Sequence, residues 1–303
     1  MSAARNTAVA SAIIPRNVKF DWDEAPLHWI RDDAFSSHAI NEFSYLLTSG
    51  EKFFCRVFRE ALPLVTDDRL RADVQAFIRQ EAIHSRAHHD SIEGYLKRLG
   101  VDGGEFERHN ALLFDQWLAR EPYGRKVPKP LQHQWLVIRV GAVAAIEHFT
   151  ASLGTFVLEA QSWERDGADP VVADLFRWHG AEEIEHRTVA YDLYRHLGGR
   201  WPLRTLLMAI VMPTLVQRMG AGLVQLMRQD PSFDRGDASL LRPAFWRAWN
   251  RGAERGNTPA PGWFARHALR FVKPGYHPIN EASTEQALSY IAASPGVLAA
   301  ARA

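Results

Sequence analysis

Apolar residues recur at steps of three and four along most of the first two hundred positions, and the recurrence predicts four long helices. The first runs from about Phe35 to Leu62, where Pro63 ends it, with the seam Ile40, Ser44, Leu47, Glu51, Phe54 and Phe58. The second follows the turn Val65-Thr-Asp-Asp68 and runs to Leu99, with Leu70, Val74, Phe77, Glu81, His84 and His88 on one face. The third covers roughly Leu131 to Trp163, with Leu136, Val140, Val143, Glu147, Thr150, Gly154 and Val157 in line. The fourth follows the turn Arg165–Pro170 and reaches Leu197 before Gly198-Gly199, on the stripe Val172, Phe176, His179, Glu183, His186, Ala190 and Leu193.

Between the second and third helices, Gly100 to Pro130 is broken by Gly103-Gly104, Pro122, Pro128 and Pro130, which suits a long crossover with one short helix inside. Two hairpins joined by a long crossover make an all-α, ferritin-like four-helix bundle the expected fold class. Three regions follow: an N-terminal arm over 1–34, the bundle over 35–199, and a helical C-terminal extension packed on it over 200–303. Arg5 and the apolar run Ala8 to Ile14 are stopped by Pro15 and Arg16, so the start reads as a disordered leader, and Ile14 to Ile30 as an extended arm. In the extension, Leu206 to Val216 is strongly apolar, but Pro213 and Arg218 interrupt it short of membrane-spanning length. A buried packing helix is expected there, with interfacial membrane contact as the alternative. Asp230 to Pro261 reads as loops with short helices, Pro274–Pro278 as a rigid turn, and Glu281 to Ala292 as a helix.

Acidic and imidazole side chains occupy seam positions that an apolar residue would normally fill. Glu81-x-x-His84 and Glu183-x-x-His186 each place a carboxylate and an imidazole one turn apart on one face, able to close on one ion. Glu51 and Glu147 add one carboxylate from each remaining helix. Bare charges on a core stripe are too costly to bury, so they must be paired or metal-bound. The depths agree as well. The midpoint of Glu51 and Glu81 is position 66, and that of Glu147 and Glu183 is 165, both in predicted hairpin turns. Each carboxylate pair therefore sits level. Four carboxylates and two imidazoles form the ligand set of di-iron and di-manganese carboxylate bundles. Two metal ions are expected, iron first, with manganese or zinc as alternatives. Gln80 and Glu182 each precede a motif glutamate, where they either orient a histidine across the site or serve a surface or inter-helix polar role. His179 and His88, one turn from the ligands on the same seams, are either further ligands or hydrogen-bonded groups behind them.

Composition changes this picture little. The chain has 303 residues, 47% of them hydrophobic, and a formal net charge of +1, so no nucleic-acid partner is expected. The single cysteine, Cys55, excludes an internal disulfide framework and fits a cytoplasmic location, with membrane association as the variant.

Phe43-Ser44, Gly50-Glu-Lys-Phe-Phe54, Phe77-Ile-Arg-Gln-Glu-Ala-Ile-His-Ser-Arg86 and the closing Pro274-Gly-Tyr-His-Pro278 resemble the bacterial family of predicted metal-dependent hydrolases, from about Ile14 to Ile279. This chain has Thr48-Ser49 where that family commonly has Phe-Pro, a departure in helix shape more than in ligands. The family name implies hydrolysis, whereas the ligand set resembles di-iron oxidases and oxygenases. The leading expectation follows the ligands: a di-iron enzyme that activates dioxygen to oxidise a small apolar substrate. Thr150 would border the open position and His179 would assist from behind the ligands. An electron-donor protein, peripheral membrane contact and a homodimer are the associated expectations. Metal-dependent hydrolysis is the alternative, and a ferroxidase or iron-binding protein the second.

Overall fold

The structure is a computed structural model that describes residues 12–302. The described residues are helical and contain no strand. The expected leader lies mostly on residues 1–11, outside the described residues.

Helix α1 (Ala34–Ala61) starts where Asp33 accepts the Ser36 amide at 3.0 Å, and α2 (Asp68–Ser91) where Asp67 accepts that of Leu70 at 2.7 Å. Each cap satisfies an amide that the first helical turn leaves without a partner. Pro63 lies in the short turn between them, and the two helices pack against each other along their length. The predicted continuation of α2 to Leu99 fails at Ser91, where a π-helical turn, Ile92–Leu96, takes over. Gly94 lies in this turn. A Cβ there would meet the Trp22 ring at 2.4 Å, and Trp22, from the arm, stacks on Tyr95. The crossover holds α3 (Gly104–Leu112) and a second π-helical turn, Leu113–Trp117.

Helix α4 (Lys129–Glu159) carries Pro130 in its first turn, where no amide partner is lost. After the short α5 (Ser162–Arg165), α6 (Pro170–His186) is capped by Asp169, which accepts the amides of Val171 and Val172. Helices α4 and α6 pack as a second pair, joined at Gly154 and Gly180, where a Cβ on Gly154 would lie 2.3 Å from the Gly180 carbonyl oxygen. The fourth predicted helix is in fact two. It breaks at Arg187–Thr188, and α7 (Val189–His196) continues from there. Arg187 is buried, and its guanidinium donates to the carbonyls of Ile184, Pro278 and Ile279 and to the Thr284 hydroxyl. Helix geometry yields at this point to a fork that binds the C-terminal segment.

Helix α8 (Trp201–Gln229) corrects the expectation for Leu206–Val216: it passes through both Pro213 and Arg218. Thr214 turns its hydroxyl back to the Ile210 carbonyl, and Arg218 bonds Asn110 and lies over the Phe106 ring of α3, so its charge has a partner. By length and composition α4 and α8 could each cross a membrane. The apolar stretch of α4 is 78% buried inside the molecule, that of α8 only 33%. Trp201, Leu206 and Ile210 of α8 are exposed. Helix α8 lies against α1 and α4, with α9 (Pro243–Arg255) on α1 and α10 (Trp263–Phe271) on α4 and α8. The last pair, α11 (Thr284–Ala293) and α12 (Pro295–Ala300), covers α6. The arm is held at His28, whose imidazole, with that of His38 on α1, bonds the buried Asp230 carboxylate after α8.

Candidate metal centre

Seams at steps of three and four on α1, α2, α4 and α6 point inward to one place, where Glu51, Glu81, His84, Glu147, Glu183 and His186 converge. All six are buried, none more than 2% exposed. His179, one turn before Glu183, joins them, and Thr150 donates a hydrogen bond to Glu183 Oε2. The donors form two nests. Glu51, His84, His179 and Glu183 make one; Glu81, Glu147, Glu183 and His186 make the other. Glu183 belongs to both, with Oε1 at 3.0 Å from His179 Nε2 and Oε2 at 3.4 Å from His186 Nε2. Glu81 also lies between them: its Oε1 is 3.5 Å from His84 Nδ1 and 3.3 Å from His186 Nε2.

These separations decide what the cluster is built for. Two donors each about 2.1 Å from one ion lie about 3.0–3.4 Å apart at octahedral to tetrahedral angles. A charged imidazole–carboxylate hydrogen bond is shorter, about 2.7–2.9 Å. The centre shows 3.2 Å for His186 Nε2 to Glu147, 3.4 Å for His84 Nδ1 to Glu183 and 3.6 Å for His179 Nε2 to Glu51. The pairing of His28 and His38 with Asp230 shows 2.5 and 2.8 Å, hydrogen-bond distances. Both oxygens of Glu51, Glu81 and Glu147, and His84 Nδ1 and His186 Nε2, have no hydrogen-bond partner although buried. A buried polar group without a partner is strongly unfavourable, and a pair of cations would satisfy all of these at once. The residues fit two ions.

The groups behind the donors fix which nitrogen faces inward. His84 Nε2 bonds Glu182 at 2.9 Å, which turns Nδ1 to the nest, and His186 Nδ1 bonds the Gln80 carbonyl at 2.9 Å, which turns Nε2 inward. His179 Nδ1 bonds His88 Nε2 at 2.6 Å, and His88 Nδ1 meets the Ser44 hydroxyl at 3.1 Å. Two partners carry no periodic signal and escape a reading of the seams. Arg16, in the irregular arm, donates to Glu182 and Glu185, and Glu185 accepts from Gln80 at 2.7 Å. His148, off the seam, bonds Tyr276 and the His267 carbonyl, and Cys55 is a buried thiol bonded to the Ile78 carbonyl.

Without cations the cluster is electrostatically frustrated. Burial and the Glu81 charge push Glu51 well above the usual carboxylate range, and burial with Glu183 does the same to Glu147. Burial also pushes Glu183 up, but His186, His179 and His84 outweigh it and hold it well below. Burial pulls His84 and His186 down, yet the surrounding carboxylates raise both well above the ordinary imidazole value. Protons stand in here for missing positive charge.

An apolar slot lies beside the centre among α1, α4 and α6, walled by Ile40, Phe43, Leu47, Leu153, Val157 and Phe176, with Thr150 and His179 also on its lining. A second apolar space on the far side of Thr150 touches Glu51 and shares Phe43, Leu47 and Leu153.

No curated protein and no solved structure matches this chain. A family model described as predicted metal-dependent hydrolase matches residues 14–282, with the whole centre inside the match. That description corrects the expectation of a di-iron oxidase or oxygenase that activates dioxygen: the chemistry it names is hydrolysis. The physical reason for the misreading is that ligand spacing is shared. Carboxylate-rich paired sites serve redox ions and redox-inert Lewis acids alike, and nothing in a Glu-x-x-His repeat separates the two. Across 14–282 of its 303 residues, this chain belongs to the predicted metal-dependent hydrolase family.

Proposed function

We propose that the centre holds two divalent cations and that the protein hydrolyses a small organic substrate delivered through the slot among α1, α4 and α6. The observation that carries this is the set of buried, partnerless donors spaced about 3.2–3.5 Å apart beside an apolar entry. Glu51 and His84 would bind one ion, Glu147 and His186 the other, with Glu81 and Glu183 between them. A bound pair supplies Lewis-acid polarisation of the scissile group and acidifies water for attack. Thr150 steadies Glu183 through its hydroxyl. His179 is the one imidazole at both the centre and the slot, so its Nε2 is placed to take the proton of the attacking water. The His88–Ser44 chain behind it sets its tautomer. An apolar entry supports an enzyme over a protein that only stores or oxidises iron.

The two helix pairs joined by a long crossover, each pair bearing one Glu and one Glu-x-x-His, support a ferritin-like bundle over 35–199 covered by the extension 200–303. The exposed apolar face of α8 supports peripheral membrane contact. The test is to strip the protein, reload it with zinc, manganese or ferrous ion, and assay ester, amide and phosphodiester hydrolysis under anaerobic conditions. About two ions per chain are expected, with turnover lost in His186→Ala and Glu147→Gln. A fully loaded protein that cleaves none of these bonds overturns the reading.

A further inference from the structure

Two features of the centre constrain what can be cleaved there. The first is charge. Glu51, Glu81, Glu147 and Glu183 bring four negative charges, which two divalent cations would balance. No lysine or arginine lines the slot or the second space behind Thr150. Away from the metal pair, an anionic substrate would find no side-chain cation on these walls. A neutral ester loses little.

The second is lining. The slot lies among α1, α4 and α6, walled almost wholly by aliphatic and aromatic carbon, and Thr150 and His179 are the polar side chains on it. On it, Leu47, Thr150, Leu153 and Phe156 are partly buried, and Ile40, Phe43 and Phe176 are buried. Gly154 and Gly180 hold α4 and α6 too close for a wider chamber. Walls of this chemistry suit an aliphatic chain.

Resting on the hydrolytic reading above, we propose that the substrate is a neutral carboxylic ester of a linear aliphatic acid. The chain lies in the slot and the ester carbonyl sits beside Thr150 and His179. Water adds to the carbonyl carbon, forming the new C–O bond; the bond to the alcohol oxygen breaks; and the proton taken at His179 Nε2 leaves on the alcohol. The acid and the alcohol account for every atom of ester and water.

The test uses p-nitrophenyl esters from acetate to dodecanoate with the metal-loaded full chain. It compares wild type with Leu153→Trp, which fills the slot, and with Leu269→Trp on the exposed face of α10. Each added methylene that enters the slot should raise kcat/KM by up to about fourfold, the transfer value of one buried CH₂. Leu153→Trp should flatten this dependence and Leu269→Trp should preserve it. Binding of 1-hexanol to 1-dodecanol, read by displacement of a fluorescent apolar probe, gives the same comparison without turnover. Ester cleavage independent of chain length, or a Leu153→Trp profile like wild type, overturns the slot assignment and leaves the hydrolytic reading standing. No cleavage of any ester, with alkanol affinity still rising with length and lost in Leu153→Trp, overturns the ester chemistry and keeps the slot.

Discussion

Replacing Gly154 by alanine tests how closely α4 and α6 must approach for the centre to form. The new Cβ would sit 2.3 Å from the Gly180 carbonyl oxygen and 2.9 Å from its carbon. A carbon–oxygen contact settles near 3.3 Å, so the helices must part by about 1 Å. Two effects oppose each other. Alanine favours the helix by about 1 kcal/mol over glycine. Overpacking typically costs about 1–3 kcal/mol, and here the obstacle is backbone, which has no rotamer to yield, so the upper end applies. The net expectation is about 2 kcal/mol of destabilisation, a fall in Tm of roughly 3 °C for a chain of this size. Glu147 and Glu183 sit on the parted helices, so metal affinity should fall as well. Urea titrations followed by circular dichroism, with and without chelator, measure the first effect and competition against a chromophoric chelator the second. Gly262→Ala is the control, since a Cβ there meets nothing within 4 Å. A Gly154→Ala protein as stable as wild type would refute the argument, because helix propensity would then have outweighed the contact.

Three further outcomes follow from the charges. In chelator-treated protein, Glu51→Gln should raise stability at pH 8 by on the order of 2 kcal/mol, since one of several crowded carboxylates is gone. Glu51 is held above its unfolded value, so its ionisation opposes folding as pH rises through that range, and the gain should shrink toward pH 5 and reverse when metal is restored. Gln80→Leu should weaken metal binding about 10- to 100-fold, because His186 Nδ1 loses the acceptor that turns its Nε2 inward; an unchanged affinity by chelator competition would contradict this role. Burial lowers the His148 imidazole to about 3, below its unfolded value near 6.5, so its contribution to stability is intact at neutral pH and is lost as pH falls from about 6.5. His148→Gln should therefore reduce the slope of stability against pH by about 1.4 kcal/mol per unit between pH 6 and 4, and equal slopes in the two proteins would count against it.

Much of the centre is legible because helical periodicity is a strong local signal. A glutamate at a seam position, such as Glu51 between Leu47 and Phe54, announces itself by the apolar neighbours it interrupts. Gln80 and Glu182 are legible for a related reason: each precedes a motif glutamate and so faces a neighbouring helix. What is not legible depends on contacts distant in sequence. Arg16 reaches Glu182 across 166 residues from a segment with no period. Trp22 packs against Gly94 just past the end of α2, and the break after His186 is set by carbonyls at Pro278 and Ile279. Pro213 misleads for the opposite reason, since a proline inside a helix removes one hydrogen bond and a long apolar helix tolerates that loss. Reaction type lies outside the pattern altogether, because a donor set specifies that ions bind and leaves open which electrons they move.

The fork at Arg187 has a consequence for biosynthesis. Its acceptor at Pro278 is made 91 residues after it, and the apolar face of α6 at Ala181 and Ile184 waits still longer for Ala287 and Ile291. At about 5–20 residues per second of translation, that interval is roughly 5–20 s. Throughout it the nascent chain presents a finished helix with an uncovered greasy side. A ribosome stalled before Ala287 would therefore release a product prone to aggregation, although every donor of the centre had already been translated.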